Sequence, residues 1–422
     1  MKILALNCGS STVKYQLFET SPELIRRNED RVLARGSIER IGTPPSQVKF
    51  LSGGAEVSYE TEVTTHREAV NIALGRLADP ASGVIRSVRE IAGVGHRVVH
   101  AGEYYAESVL IDAEVERRIE ECCELAPLHN PHNLSGCRAV RAALPDCPQV
   151  AVFDTAFHQT VPRYAYLFGL PYELYEKHRI RRYGFHGTSY AYVTQRFAAV
   201  RGGTPADYKL IICHLGSGSS ACAVDRGRSV ETSMGFTPLD GLMMGTRPGL
   251  LDPGVVLHLM ARHGLSAAEV SEMLNNRSGL LGVSGVSNDM RTLVAEAREG
   301  DERAALAIEV FCYRVKKYIG TLYAVLNGAD AVIFTGGIGE HQPMVRRLSA
   351  GGLESLGIVI DEERNEEAHG REMRISPEGA GTEVWVIPTN EELLIARETV
   401  RLITGADGTD ERRPGEKICG EG

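Results

Sequence analysis

Residues 209–224 read Lys209-Leu210-Ile211-Ile212-Cys213-His214-Leu215-Gly216-Ser217-Gly218-Ser219-Ser220-Ala221-Cys222-Ala223-Val224. An apolar run bounded by Gly and Ser predicts a buried strand. Ala221 to Val224, closed by Asp225-Arg226-Gly227, predicts the second strand of a hairpin. The chain opens on the same theme: Ile3 to Leu6 is apolar, Asn7-Cys8-Gly9-Ser10-Ser11-Thr12 turns, and Val13 to Phe18 alternates. Matching Gly9-Ser10-Ser11 to Gly218-Ser219-Ser220 gives an offset of 218 − 9 = 209, near half of 422 residues, and hints at two similarly built halves. A third strand, Ala331 to Phe334, runs into Gly336-Gly337-Ile338-Gly339, read as a third Gly-rich turn.

Further elements alternate with these. Helical patterns lie near 66–78 and 113–125, with strands at 91–99, 150–153 and 384–387. From Glu302 to Leu326 apolar residues recur at helical spacing, with Gly328 as the stop. Thr389 with Glu392 fits a capping box for a last helix ending near Gly405. Helices alternating with buried strands define an α/β protein. Residues 405–422 are charged and Gly-rich without periodicity, the pattern of a disordered tail.

Composition narrows the function. With 46 Lys+Arg against 55 Asp+Glu the formal charge is −9, which argues against nucleic acid or an anionic membrane as the main partner. The nine cysteines are scattered, without a Cys-x-x-Cys pair or zinc spacing, as expected of free thiols in a reducing compartment. The N-terminal apolar stretch is too short for a signal-peptide core, and no run reaches a membrane span of roughly 18 residues. A cytoplasmic location is expected. The 45 glycines exceed ordinary usage of about 7%.

Three strand-to-Gly turns (Asn7–Thr12, Gly216–Ser220, Gly336–Gly339) suit phosphate, because small residues let backbone N–H groups approach an anion. One such turn is ordinary; three favour a nucleotide site. No Gly-x-x-x-x-Gly-Lys-Ser/Thr occurs, which excludes a P-loop enzyme. Gly216-x-Gly218-x-x-Ala221 matches a dinucleotide fingerprint, but that motif must open a helix, and here a hairpin strand follows. Basic residues in apolar or Gly-rich settings form a second signal: Lys14, Arg97, His129, His186, His214 and Arg247. An isolated Arg is ordinarily a surface or ion-paired residue; flanked by Gly and apolar residues, it suits an anion clamp. His96 and His100 on one strand would stand about 13 Å apart, too far to share a metal. Asn7, Asp154 and Glu391 at strand ends could ligate magnesium, though Glu391 is equally a first-turn helix residue.

Eight segments stand out in order along the chain: Leu6–Ser11, His96-Arg97-Val98-Val99-His100, Leu125–Pro131, Phe153–His158, Tyr183-Gly184-Phe185-His186-Gly187-Thr188-Ser189, Thr232–Arg247, Ser287–Arg291 and Pro388–Leu393. They resemble one family, the acetate kinases of the sugar kinase/Hsp70/actin superfamily. The resemblance runs from Asn7 to about Thr399. It implies a duplicated RNase H-like fold with a central cleft, and magnesium-dependent phosphoryl transfer between ATP and acetate. Residues 1–156 plus 391–404 would form one lobe and 157–390 the nucleotide-binding lobe, in a homodimer.

The resemblance also assigns roles. Asn7 and Glu391 would hold Mg²⁺ (or Mn²⁺), and Lys14 would touch nucleotide phosphate. Arg97 would take the acetate carboxylate, with Val99, Leu128, Phe185 and Pro238 around the methyl group. His186 and Arg247 would stabilise the transition state, with Asp154 the active-site acid. His214, Leu215, Gly216, Ser217 and Gly218, then Asp289, Met290 and Arg291, then Gly337, Ile338, Gly339, Glu340 and His341, would line the ATP site. Acetate is already ionised at pH 7, so Asp154 is expected to orient the magnesium shell or a cationic side chain rather than accept a proton. Ser217, Tyr190, His341 and Pro248–Leu251 depart from the family pattern. The alternatives are a propionate-preferring kinase and a nucleotide switch of the actin type.

Overall fold

A computed structural model describes residues 1–405; the sequence-based expectation for the tail beyond Gly405 lies outside them. Two sheets form the frame. The first holds β1 (Lys2–Cys8), β2 (Thr12–Glu19), β3 (Arg31–Glu39), β4 (Ser46–Ser52), β5 (Ala55–Thr61), β6 (Ile91–Val98), β7 (Val109–Leu110) and β8 (Gln149–Phe153). The second holds β9 (Lys209–Leu215), β10 (Ser219–Asp225), β11 (Arg228–Thr232), β12 (Ala331–Thr335), β13 (Met373–Arg374) and β14 (Glu383–Val386).

The spatial orders are β5-β4-β3-β2-β1-β6-β8-β7 and β11-β10-β9-β12-β14-β13. Within them β3-β2-β1-β6-β8 and β11-β10-β9-β12-β14 are the same arrangement: an antiparallel meander followed by two parallel strands. The repeat hinted at by two Gly-Ser-Ser turns is therefore a repeat of topology, the duplicated RNase H-like core.

Strand alternation sends side chains to opposite faces. On one face of the first sheet Leu4, Leu6 and Val13 pack against Val70 and Leu74 of the helix His66–Leu77. On the other, Ile3, Ala5 and Val152 meet Ile395 and Val400 of the helix Glu391–Thr404. This helix lies so close to β6 that a Cβ at Gly95 would stand 2.3 Å from Thr399 Oγ1. The second sheet buries Ile211, Cys213 and Phe334 under the long helix Glu302–Leu326. Its other face, with Ile212, Cys222 and Ile333, covers Tyr190, Val193 and Phe197 of the helix Gly187–Arg201. The helices Gly187–Arg201 and Glu391–Thr404 pack on each other between the sheets, so their N-termini open into one cleft.

Three local expectations are corrected. Gly336–Gly339 is no turn but the start of a short helix, Gly336–His341, because Glu340 accepts a hydrogen bond from Gly336 N (2.9 Å) and closes it. The last helix is capped by Asn390, whose side chain accepts from Leu393 N at 3.0 Å, rather than by Thr389; the Thr389 hydroxyl is engaged with Ser189. The helix Glu302–Leu326 ends on Asn327 in the left-handed region (φ 51°), one residue before Gly328. His100 lies beyond the end of β6 and its Nδ1 accepts from Gly102 N, whereas His96 meets the Gln149 amide. No metal-holding cluster of three or more His, Cys, Asp or Glu occurs among the described residues, and no helix among them is long and apolar enough to cross a membrane.

Candidate active site

β1, β2 and β6 place Lys14, Asn7 and Arg97 in one row, since Asn7 is in register with both others. His96, one residue away, faces the opposite side. Arg97 donates through Nε (3.1 Å) and Nη2 to the two oxygens of Asp154, a buried carboxylate just past β8. Glu391 Oε2 stands 3.7 Å from Arg97 Nε. Burial alone would lower the Arg97 guanidinium, but Asp154 and then Glu391 outweigh it and raise it. Asp154 and Arg97 thus form a fork-to-fork pair. The Thr188 hydroxyl reaches both carboxylates, Asp154 Oδ1 at 3.0 Å and Glu391 Oε2 at 2.8 Å, though its single proton serves one at a time.

The opposite wall comes from the second sheet. His186 precedes the helix Gly187–Arg201 in the left-handed region (φ 59°). The next residue must be glycine: its N donates to Asp154 O at 3.0 Å, and a Cβ there would lie 2.1 Å from that oxygen. His186 stacks on His214 with ring centres 4.3 Å apart. Burial, then His214, Arg97 and Arg247, push the His186 imidazole well below the ordinary value; burial also lowers His214. Both rings are thus neutral at pH 7. A Cβ on Gly218 would meet Arg247 Nη2 at 3.4 Å and His186 Nε2 at 3.5 Å, so the bare backbone of this turn faces both side chains.

Arg247 has no carboxylate partner among the described residues. Its Nη1 donates to Pro238 O at 2.7 Å, and burial lowers its guanidinium. A partly buried cation left unpaired is costly, and the Arg247 guanidinium is the group of this wall that an anion would stabilise. Val99 and Phe185 share a buried cluster with Ala126, Met234 and Met244, whereas Leu128 is 63% exposed and stands outside it. Lys14 lies further out, on a cavity of about 310 Å³ with Arg35, Lys49 and Glu392.

A second cavity, about 570 Å³, is lined by Gly216, Ser217, Asp289, Met290, Arg291, Gly337, Ile338 and His341. Of the other residues expected at the nucleotide, Leu215 is buried in the core, and His214, Gly218, Gly339 and Glu340 lie beside the cavity rather than on it. Glu340 clamps Gly336 N and Thr389 N with one oxygen. Sequence reasoning missed Asn288, Gln342 and His369, which also line the cavity, and the hydroxyls of Thr188, Ser189, Ser220 and Thr389. Asn288, Thr188, Ser189, Ser220 and Thr389 lay within the motifs read from the sequence; His369 carried no local signal and arrives by packing on His341 at 4.8 Å.

A doubled RNase H-like core, with Gly turns, neutral imidazoles and an unpaired guanidinium converging between its halves, defines a phosphotransferase of the actin-like ATPase class. The chain belongs to the acetokinase family, whose model matches residues 2–397. It is 52% identical over 404 residues to the acetate kinase of Natranaerobius thermophilus, covering 96% of this chain and all of that one. It is 50% identical over 404 residues to the acetate kinase of Caldicellulosiruptor saccharolyticus, with the same coverage. The crystal structure of Porphyromonas gingivalis acetate kinase superposes with a TM-score of 0.90 at 45% identity, covering 95% of this chain and 99% of that one. A propionate kinase from Francisella tularensis gives 0.87 at 41% identity, with the same coverage.

Proposed function

We propose that this enzyme is an acetate kinase, transferring the γ-phosphoryl group of ATP to acetate in a reversible reaction that yields ADP and acetyl phosphate. The observation that carries the site reading is the convergence of Arg247, His186 and the Gly218 turn. The acetate oxygen forms the new P–O bond, the bond to the β–γ bridging oxygen breaks, and the electron pair stays on ADP; no proton moves. Arg97, fixed by Asp154, turns its remaining N–H groups to the acetate carboxylate. Arg247 and His186 meet the charge that spreads over the phosphoryl oxygens. Val99 and Phe185 set the room for the methyl group, and the 570 Å³ cavity holds the nucleoside part of ATP.

Magnesium is consistent with the donors present. The Asn7 side chain makes no hydrogen bond among the described residues, and Glu391 Oε1 is likewise unengaged. Two free oxygens at a cleft edge suit an ion that keeps most of its waters and takes the rest of its shell from phosphates. Asn7 and Glu391 would hold it; when bound, it supplies charge neutralisation on the nucleotide phosphates.

Residues 1–156 with 391–404 act as one lobe and 157–390 as the other, in the cytoplasm. The helix Pro253–His263 buries none of its residues and leaves Val255 and Leu257 exposed at 40% and 67%; a second copy of the chain covers this face. Leu257→Lys should leave a monomer in sedimentation, and an unchanged oligomer would refute that partner. The reaction is tested by trapping acyl phosphate with hydroxylamine from MgATP with acetate, propionate or butyrate, beside a no-acid control. Product with acetate at or above propionate is expected; ATP turnover without acyl phosphate would overturn the reading.

A further inference from the structure

The two stacked imidazoles each end a chain of hydroxyls. His186 Nδ1 lies 2.8 Å from Ser220 Oγ, which lies 2.5 Å from the Tyr190 hydroxyl. His214 Nδ1 lies 2.8 Å from Ser189 Oγ, itself 2.8 Å from Thr389 Oγ1. The first chain has a readable direction. Tyr190 is fully buried among Val193, Phe197, Ile212, Cys222 and Ile333, and Ser220 Oγ is the one polar partner of its hydroxyl among the described residues. Burial holds this phenol well above its ordinary value, so it keeps its proton. That proton has a single acceptor in reach, Ser220 Oγ. Having accepted it, Ser220 turns its own hydrogen toward His186 Nδ1. The reverse order would leave a phenolic O–H unpaired in an apolar core, which costs about 1–3 kcal/mol.

We propose that Tyr190, acting through Ser220, holds the ring hydrogen of His186 on Nε2 and thereby aims a neutral N–H donor at the phosphoryl group in transit. Nε2 is the nitrogen that faces the Gly218 turn and Arg247. Tyr190 and Ser220 are positioning residues, and the inference rests on the proposed contact between His186 and the phosphoryl group. It also gives Tyr190, a departure from the family pattern, a task.

The test has two independent readouts. Nitrogen-15 imidazole shifts of the whole protein without substrates report the tautomer directly. The expected spectrum has His186 protonated on Nε2 in the wild type, and mixed in Tyr190→Phe and in Ser220→Ala. In steady-state assays each variant should lose about tenfold in kcat with both KM values within twofold, and the double variant should lose no more than Ser220→Ala alone. A wild-type Nδ1–H tautomer, additive losses, or unchanged kcat in a folded Ser220→Ala would overturn the proposal. An Nε2–H spectrum with no acyl phosphate formed by the wild type would retain the tautomer and overturn the kinase role.

Discussion

Asp154→Asn isolates the Arg97 clamp. The change keeps the shape of the side chain and removes its charge. In the native site both Asp154 oxygens receive N–H groups of Arg97, and the Thr188 hydroxyl divides its one proton between Asp154 and Glu391. Removing one partner of a buried ion pair costs about 3–5 kcal/mol. Asn keeps one acceptor oxygen, and Glu391 at 3.7 Å recovers part of the charge, so about 2 kcal/mol is a fair estimate of the net loss. At about 1.4 kcal/mol per decade this is roughly 30-fold in kcat/KM for acetate. The new amide also puts N–H groups against N–H groups, which turns Arg97 toward Glu391. The loss should therefore fall on the KM for acetate and on the magnesium needed for half activity, with the KM for ATP within twofold. Between pH 6 and 8 the profile should run parallel to the wild type, because no proton leaves acetate. Acyl phosphate trapped with hydroxylamine at varied acetate and magnesium measures all of these. A kcat/KM within twofold of the wild type with unchanged magnesium dependence would refute the clamp. A loss confined to kcat, with a new pH limb, would instead make Asp154 a base.

Arg247→Met should lower kcat by at least 100-fold, as for loss of one preorganised transition-state donor. It should also raise the melting temperature of the substrate-free enzyme by roughly 1–4 °C, because it removes an unpaired, partly buried cation; a lower melting temperature would contradict that electrostatic account. Arg346 is fully buried and donates to Gly339 O (2.8 Å), Glu340 O (3.0 Å), Asn365 O and Asn365 Oδ1 (2.8 Å), pinning the end of the Gly336–His341 helix. Arg346→Met leaves these buried acceptors without their donor, should cost about 1–3 kcal/mol in urea unfolding and should raise the KM for ATP tenfold with that for acetate unchanged; equal shifts in both KM values would rule out a local effect. Burial lowers His96 and His158 to about 4 and His100 to about 3 from an ordinary 6.5. For a base with a depressed folded value the unfolded chain binds more protons, so stability is complete above pH 6.5 and falls as pH drops toward the folded values. By pH 5 each contributes a loss of about 2 kcal/mol, and urea midpoints that stay flat from pH 7 to 5 would show that these rings charge without unfolding.

The frame was legible because it is written in strand-and-turn punctuation. β9, β12 and the helix Glu302–Leu326 fall at the bounds their apolar periodicity marks, and Gly9-Ser10-Ser11 with Gly218-Ser219-Ser220 sits at equivalent hairpins. The errors arose where a side-chain hydrogen bond decided the local structure, across 4 positions in one case and 200 in the other. Glu340 closes Gly336–His341 into a helix, and Ser189 draws the Thr389 hydroxyl away from a cap. At the site, Arg97 and Arg247 were equally visible as basic residues in apolar settings. Only the fold separates them, pairing the first with Asp154 and leaving the second with a carbonyl. His369 was invisible because nothing in its own neighbourhood says that it will meet His341.

The charges in the cleft explain why neutral rings belong there. Arg97 is offset by Asp154, with Glu391 close by, which leaves Arg247 as the uncompensated cation facing the Gly218 turn. Charging both His186 and His214 would place two further cations with ring centres 4.3 Å apart, a repulsion of about 4 kcal/mol at an effective dielectric of 20. In the proposed reaction acetate and phosphoryl group both arrive as anions that Arg247 would attract, and charged rings beside it would bind the ground state without gain in the transition state. What the reaction still needs is direction: donors aimed at oxygens whose charge grows during transfer. A neutral imidazole supplies that only when its hydrogen is on the correct nitrogen, and the hydroxyl chain from Tyr190 through Ser220 to His186 Nδ1 meets that requirement without adding charge to the cleft.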